Sequence, residues 1–434
     1  MDKNKSLINI SNLEKKMYSL IKKLFPLCRS ITGKDLVKTL HIIKDYIPLE
    51  LHKIPSGTEV FDWVIPDEWN IVDAYVKDSK GKRIIDFKKS NLHLVSYSIP
   101  FEGTLGLKIL KEHLHTLPNQ PDLIPYVTSY YKKDWGFCLS HNDYLELKDD
   151  LYSVKIDSTL EPGHLTYGEL ILPGESDEEV LFSTYICHPS MANNELSGPV
   201  LATFLANELS KRQLYYTYRF VFVPETIGSI AYLSMKFETL KQKVVAGYVI
   251  TCVGDPGSFS YLSTKEENTL TDRVTLHVLK NSVENYNIYS FLERGSDERQ
   301  YNSPGIDLPV GSLMRTKYGS YPEYHTSGDN LDFVTSEALQ GSLDMYLRCI
   351  NVLENNRTYK TKILGEPQLG KRGLYSNLSF KGSAESARKM KDLLAYCDGE
   401  NDLVCIADKI DCPVWDLVPI AEKLLSHEII ETVN

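Results

Sequence analysis

The sequence predicts an α/β fold: a mixed, mostly parallel sheet with helices on both faces, plus two smaller appended parts. Three observations carry this expectation. From residue 165 onward, apolar strand-like runs alternate with helical patterns, the rhythm of parallel strands joined by crossover helices. Between residues 61 and 161 the runs become short, rich in β-formers and punctuated by Gly, Pro and Asp. Beyond residue 363, three short helical patterns follow one another. The expected organisation is a main α/β domain over 1–60 and 162–362, an inserted β-rich domain over 61–161, and a winged-helix-like domain over 363–434.

A chain of 434 residues exceeds one ordinary core, which fits several domains. Its 42% hydrophobic and 24% charged content is that of a soluble globular protein. The net charge of −10 argues against nucleic acid or an anionic membrane as the main partner. The eight cysteines are scattered singly with no C-x-x-C pair, so no thiolate zinc ribbon is expected. No signal-type apolar core follows Met1 and no run reaches membrane-spanning length, so a reducing cytoplasm is the expected setting.

In chain order, residues 10–24 space their apolar positions three and four apart and predict an amphipathic helix. A second helix is expected over 34–46 and an edge strand over 49–60. In the insert, 71–77, 92–98, 135–139 and 151–156 read as strands, with a hairpin turn at 78–81. Strands then follow at 165–172, 179–185, 218–223, 244–252 and 311–316. Helices are expected at 198–212 and 339–352, with a third α/β unit over 269–309. The tail predicts helices at 387–396, 403–409 and 414–426 before a closing strand, the outline of a winged helix. From Lys389 onward, four lysines and no arginine stand against ten acids, the wrong sign for DNA phosphates.

Chemistry in such sheets gathers at the carboxyl ends of strands. Those ends carry His188 and Glu195, then Glu225, then Asp255, then His325 and Asp329. Imidazoles and carboxylates at successive strand ends are the donors that zinc takes, with one position left for water, and a neighbouring carboxylate can accept the proton of that water. Asp297, Arg299 and Tyr324 are candidates to line the pocket. Asp329 either orients His325 or caps a helix. Arg29 either holds a substrate carboxylate or makes a structural ion pair. Ser190 and Ser197 lack the G-x-S-x-G context of a serine hydrolase. His93 and His277 lie in apolar alternation and read as structural.

The segments 57–69, 187–198 (Cys-His-Pro-Ser-Met-Ala-Asn-Asn-Glu-Leu-Ser-Gly), 224–229, 295–301 and 324–329 carry a resemblance. Through them nearly the whole chain resembles the clan MH zinc aminopeptidases, the group of leucyl aminopeptidase and glutaminyl cyclase. It is most similar to a bacterial aminopeptidase-like branch with a small inserted domain and a C-terminal winged helix. The resemblance implies that His188 and His325 are the first and last metal-binding histidines and that Glu225 is the general base. It also exposes departures. Asn194 stands where the family has an aspartate bridging two zinc ions, Thr226 where a second glutamate binds zinc, and Thr251 at or near a later ligand aspartate. Fewer carboxylates imply one zinc ion rather than two.

The expected site is therefore one zinc ion on His188, Glu195 and His325, with Asp255 as the rival to Glu195. Asn194, Asp297, Arg299, Tyr324 and Asp329 are the expected substrate contacts. The expected activity is an aminopeptidase-type hydrolysis of an amide beside a free amine, on a small peptide or aminoacyl substrate. The alternatives are an amidase or deacylase of surface-polysaccharide metabolism and a non-catalytic binding protein on a decayed peptidase fold. No nucleic-acid or membrane partner is expected, and a homo-oligomer is left open.

Overall fold

The computed structural model of the protein describes residues 13–374 and 383–433. An eight-stranded sheet organises the first of two compact units. Its strands are β1 (Glu50–Pro55), β2 (His164–Leu172), β3 (Glu179–Tyr185), β4 (Thr217–Val223), β5 (Val244–Val249), β6 (Phe259–Leu262), β7 (Tyr286–Tyr289) and β8 (Val310–Met314), in spatial order β1-β2-β4-β3-β5-β8-β6-β7. The four central strands β4, β3, β5 and β8 run parallel. Strands β1 and β2 on one side and β6 on the other are antiparallel to their neighbours. Every residue of β3 is buried, as a two-sided central strand requires.

Four helices support this sheet: α1 (Leu13–Leu24), α2 (Lys34–Lys44), α3 (Ser197–Leu209) and α4 (Ile227–Lys243). Helix α3 packs on β3 and β4, α1 packs on α3, α2 on β2, and α4 on β4. Gly198 lets α3 begin this close, because a Cβ there would stand 2.2 Å from the Ile250 carbonyl oxygen. Buried charge inside the sheet is paired: Arg219 of β4 meets Glu179 and Glu169 at 2.5 Å each, and Tyr232 of α4 also donates to Glu169 at 2.6 Å.

The β-rich expectation for 61–161 corresponds to a four-stranded antiparallel sheet of Arg83–Asp86, Glu68–Lys77, Leu151–Glu161 and Phe101–Gly106. The turn at 78–81 is held by Asp78, whose carboxylate accepts from the Lys80 and Lys82 amides. The strand expected over 92–98 is instead a short 3-10 turn, Asn91–His93, followed by isolated bridges at Leu94 and Ser96. Trp69, Tyr97 and Phe137 of the insert share one apolar cluster with Leu165 and Val223 of the main sheet, so the insert belongs to the first compact unit. The part of the first predicted helix over residues 10–12 lies outside the described residues.

The second compact unit comprises Asn268–Tyr286 and Asp344–Asn434. Its helices Ser383–Ala395, Leu403–Lys409 and Val414–Ser426 lie where the sequence predicts them. Its three-stranded sheet adds two unpredicted strands, Thr358–Thr361 and Asp398–Asp402, beside Ile430–Val433. The helix Leu270–Ser282, expected in the main domain, belongs to this unit. Arg273 pairs with Asp402, and the buried His277 bonds Asp408 through Nδ1 and the Val414 amide through Nε2. Among the described residues, no helix is long and apolar enough to cross a membrane.

Candidate active site

Each strand end contributes one piece. After β3 the chain reaches His188, then forms a π-helical turn, Ala192–Leu196, before α3. Asp329 holds that turn: its carboxylate accepts from the Asn193 and Asn194 amides at 2.6 and 2.8 Å, and its carbonyl from the Ala192 amide at 3.1 Å. Burial pushes its carboxyl up to about 7. No hydrogen bond joins Asp329 to His325 among the described residues, so its part is to cap the turn. Asp255 is likewise committed, to Asn193, Gly257 and Thr316.

The turn delivers Glu195 to His188 from behind. Glu195 Oε2 lies 2.7 Å from His188 Nδ1, while His188 Nε2 faces Glu225 Oε2 at 3.6 Å. The other Glu195 oxygen is 3.9 Å from Arg29 Nε and accepts no hydrogen bond. Arg29 and Glu195 are both 0% exposed, and Arg29 also donates to the Leu24 and His188 carbonyls at 2.7 and 2.9 Å. Arg29 is thus a buried brace beneath the His188 loop and does not face a substrate. Burial opposes charge on His188, but the Glu195 carboxylate, with Glu225 adding to it, outweighs burial and raises the imidazole above its ordinary value.

Of the expected ligand set, His188 and Glu195 stand together, with Cys187 beside them rather than His325. Among the described residues, the one group of three with ligand atoms within 4.8 Å of one another is Cys187, His188 and Glu195, and His325 is not in it. Two donors on one tetrahedral zinc stand about 3.3 Å apart. The 2.7 Å contact is instead a direct hydrogen bond on the ring nitrogen turned away from Glu225. Burial pushes the Cys187 thiol well up, and its sulfur accepts from the Glu225 amide at 3.2 Å. Glu195 therefore sits behind the His188 ring and fixes its orientation through the nitrogen turned away from Glu225.

The end of β4 supplies Glu225. Its Oε1 accepts from Ser296 Oγ at 2.9 Å. Burial raises its carboxyl, with His188 and Ser296 opposing. The next residue, Thr226, is left-handed at φ 64°, a strained conformation for a β-branched residue. Asp297 and Arg299 clamp it. Asp297 Oδ1 accepts from the Thr226 amide at 2.7 Å and from Ser229 Oγ at 2.9 Å, and an Arg299 nitrogen donates to Thr226 Oγ1 at 2.6 Å. Burial, then the Glu225 charge, push Asp297 up to about 8. Ser190, Cys252 and His325 also have positive φ, so strain is found in four of the loops that form the site.

His325 completes the pocket, its ring 5.3 Å from that of His188. Tyr324 stacks on it at 3.9 Å and 14°, and Tyr126 meets it edge-on at 5.2 Å. Its Nε2 is buried without a partner. Tyr126, which sequence reasoning missed, comes from the insert, and its amide donates to the His325 carbonyl at 2.8 Å. The one signal available was the tyrosine-rich run at 126–131. Ser296, also missed, sits in a segment where only Asp297 and Arg299 drew notice.

Of the three positions that depart from the two-zinc pattern of the resemblance, Thr226 is held by Asp297 and Arg299, while Asn194 and Thr251 join a neutral network. The Tyr185 hydroxyl bonds Thr251 Oγ1 at 2.6 Å and Asn194 Nδ2 at 2.9 Å, and Thr251 Oγ1 donates to the Asn194 carbonyl at 2.9 Å. Asn194 is buried there, and its Oδ1 has no hydrogen-bond partner among the described residues.

Burial, with the His188 charge beside it, pushes His325 down to about 3 from an ordinary 6.5. Its folded-state value is depressed, so the unfolded chain binds the extra proton. The stability this neutral ring supports is fully present above pH 6.5 and is lost progressively as pH falls toward 3. With a chelator present, the His325→Gln variant is expected to show a shallower acid slope in urea midpoints measured across this window. Equal slopes would contradict the assignment.

Residues 18–356 match the family model described as a domain of unknown function, DUF4910, and residues 357–432 match a winged helix-turn-helix family. The chain belongs to DUF4910. A Clostridium acetobutylicum protein, named for polysaccharide biosynthesis with an aminopeptidase-like domain, is 48% identical to this DUF4910 chain over 437 residues, covering 99% of each. A crystal structure from the same organism, described as a peptidase, superposes with a TM-score of 0.92 at 48% identity over 98% of each chain. The zinc aminopeptidase of Bacillus subtilis superposes with a TM-score of 0.58 at 13% identity, over 78% of this chain and 94% of its own. The fold of this DUF4910 member is thus that of the zinc aminopeptidases, with a C-terminal winged helix.

Proposed function

We propose that this chain is a hydrolase of amide bonds on the aminopeptidase plan, using a single zinc ion. The observation that carries the reading is one pocket holding Glu225 3.6 Å from His188 Nε2 together with the unpartnered, buried Nε2 of His325. Two imidazole nitrogens beside a carboxylate fit one zinc ion, which would take the imidazoles in their neutral form. The neutral Tyr185–Thr251–Asn194 network does not fit a second, whose charge would lack carboxylates. His188 and His325 would hold the ion, and when bound it would polarise a carbonyl and acidify water. Glu195 fixes the His188 ring through Nδ1, so Nε2 keeps its lone pair toward the pocket. Glu225 takes a proton from the attacking water and returns it to the leaving nitrogen. Tyr324, whose hydroxyl is pushed well up by burial, keeps its proton to donate toward a developing oxyanion.

The substrate in this reading is a small amide, peptide or aminoacyl in type. A second version, an amide on an amino sugar, is favoured by the name of the Clostridium relative and by the tyrosine-rich walls. The acidic C-terminal unit is assigned no nucleic-acid role. The test is metal analysis of the purified chain followed by hydrolysis assays on aminoacyl-amides and N-acyl amino sugars, with and without chelator. Chelator-sensitive hydrolysis with about one zinc per chain is expected. An absence of both zinc and hydrolysis would favour a binding protein on the same fold.

A further inference from the structure

The geometry points to a second subsite, built largely by the insert, that holds an uncharged saccharide ring beside the catalytic pocket. A cavity of about 710 Å³ opens between residues 114–127, the segment holding His141 and Tyr144, and the loop 324–326. It shares Tyr126, Tyr324 and His325 with the site described above, so a ligand reaching the catalytic groups would extend into it. This volume falls within the range of pockets that enclose a small organic ligand.

The lining gives the chemistry. None of its residues is Asp, Glu, Lys or Arg. A phosphate or carboxylate entering here would lose its hydration with no cation in the lining to replace it, and a protonated amine would find no carboxylate there. Flat aromatic rings are present instead: Tyr144 stacks with His141 at 5.8 Å and 17°, and Tyr324 with His325 at 3.9 Å. Lys111 stands over the Tyr144 ring at 4.5 Å and is not part of the lining. Neutral polar atoms surround these faces. His141 Nδ1 is taken by Thr116 Oγ1 at 3.0 Å, while the Tyr144 and Tyr324 hydroxyls and the His115 ring have no hydrogen-bond partner among the described residues. Burial pushes the His115 imidazole down, which keeps it neutral. Apolar ring faces bordered by uncharged donors and acceptors match a sugar, whose C–H face stacks while its hydroxyls bond at the edge.

The subsite rests on the amide-hydrolase reading for its place along the substrate and not for its own chemistry. The test measures calorimetric binding of N,N′-diacetylchitobiose, maltotriose and a leucyl dipeptide to the full-length Glu225→Gln protein. Saturable saccharide binding is expected, weakened about tenfold by Tyr144→Ala. Tyr144→Phe, which keeps the ring, is expected to weaken it less and serves if the alanine variant fails to fold. Three results would each overturn the subsite: no saturable saccharide binding, binding indifferent to both Tyr144 variants, or a Tyr144 effect confined to the dipeptide. Saccharide binding without turnover of any amide by the wild-type protein would sink the catalytic reading alone. Turnover without saccharide binding would sink the subsite alone.

Discussion

Glu225→Gln is expected to lower kcat/KM on amide substrates by about 10³-fold, the range of a general base removed from the transition state. The replacement keeps the size of the side chain, and its amide oxygen can still accept from Ser296 Oγ. It cannot take a proton from water. Because burial already disfavours the carboxylate, the thermal midpoint should hold or rise. Zinc content should also hold, since His188 and His325 remain. Full activity in the glutamine variant, measured on the substrate that the wild type turns over best, would remove Glu225 from the mechanism.

Replacing Glu195 should have the largest effect on stability. Glu195→Ala leaves Arg29 and His188 as buried cationic or polar groups without their carboxylate, which costs about 3–5 kcal/mol when one partner of a buried pair is lost. Glu195→Gln keeps the contact to His188 Nδ1 and should cost less. It should still weaken metal binding by about 10–100-fold, the effect of removing a partner that orients a ligand. Urea unfolding with chelator separates the first effect, and zinc titration of the folded variant reads the second. Unchanged stability in Glu195→Ala would mean that the Arg29–Glu195 pair is not what supports the His188 loop.

Much of the site was legible because its groups stand at strand ends, and strand ends are marked by long apolar runs stopping at a polar residue. His188, Glu225 and His325 were found this way, and all three meet in one pocket. The side from which each carboxylate approaches was not legible. A π-helical turn sends Glu195 behind His188, and Asp329 and Asp255 are spent on loop amides and the Asn193 side chain; these are choices of backbone conformation that residue spacing does not encode. Tyr126 escaped because the insert brings it to His325 through a backbone hydrogen bond, and such a contact leaves no mark on residue type. The strands Thr358–Thr361 and Asp398–Asp402 escaped because their residues are too polar to alternate visibly. The helix Leu270–Ser282 has the expected period, but its partners Asp402 and Asp408 lie far along the chain.

The neutral network around Tyr185 has a mechanical consequence. Tyr185 is held by both Thr251 and Asn194, and Thr251 is in turn bonded to the Asn194 backbone, so the three residues form one interlocked unit. The unit ties the turn after β3 to the chain after β5, and among the described residues it leaves Asn194 Oδ1 buried with no hydrogen-bond partner. A substitution at any one of the three residues would therefore be felt at the other two, through both loops of the site at once.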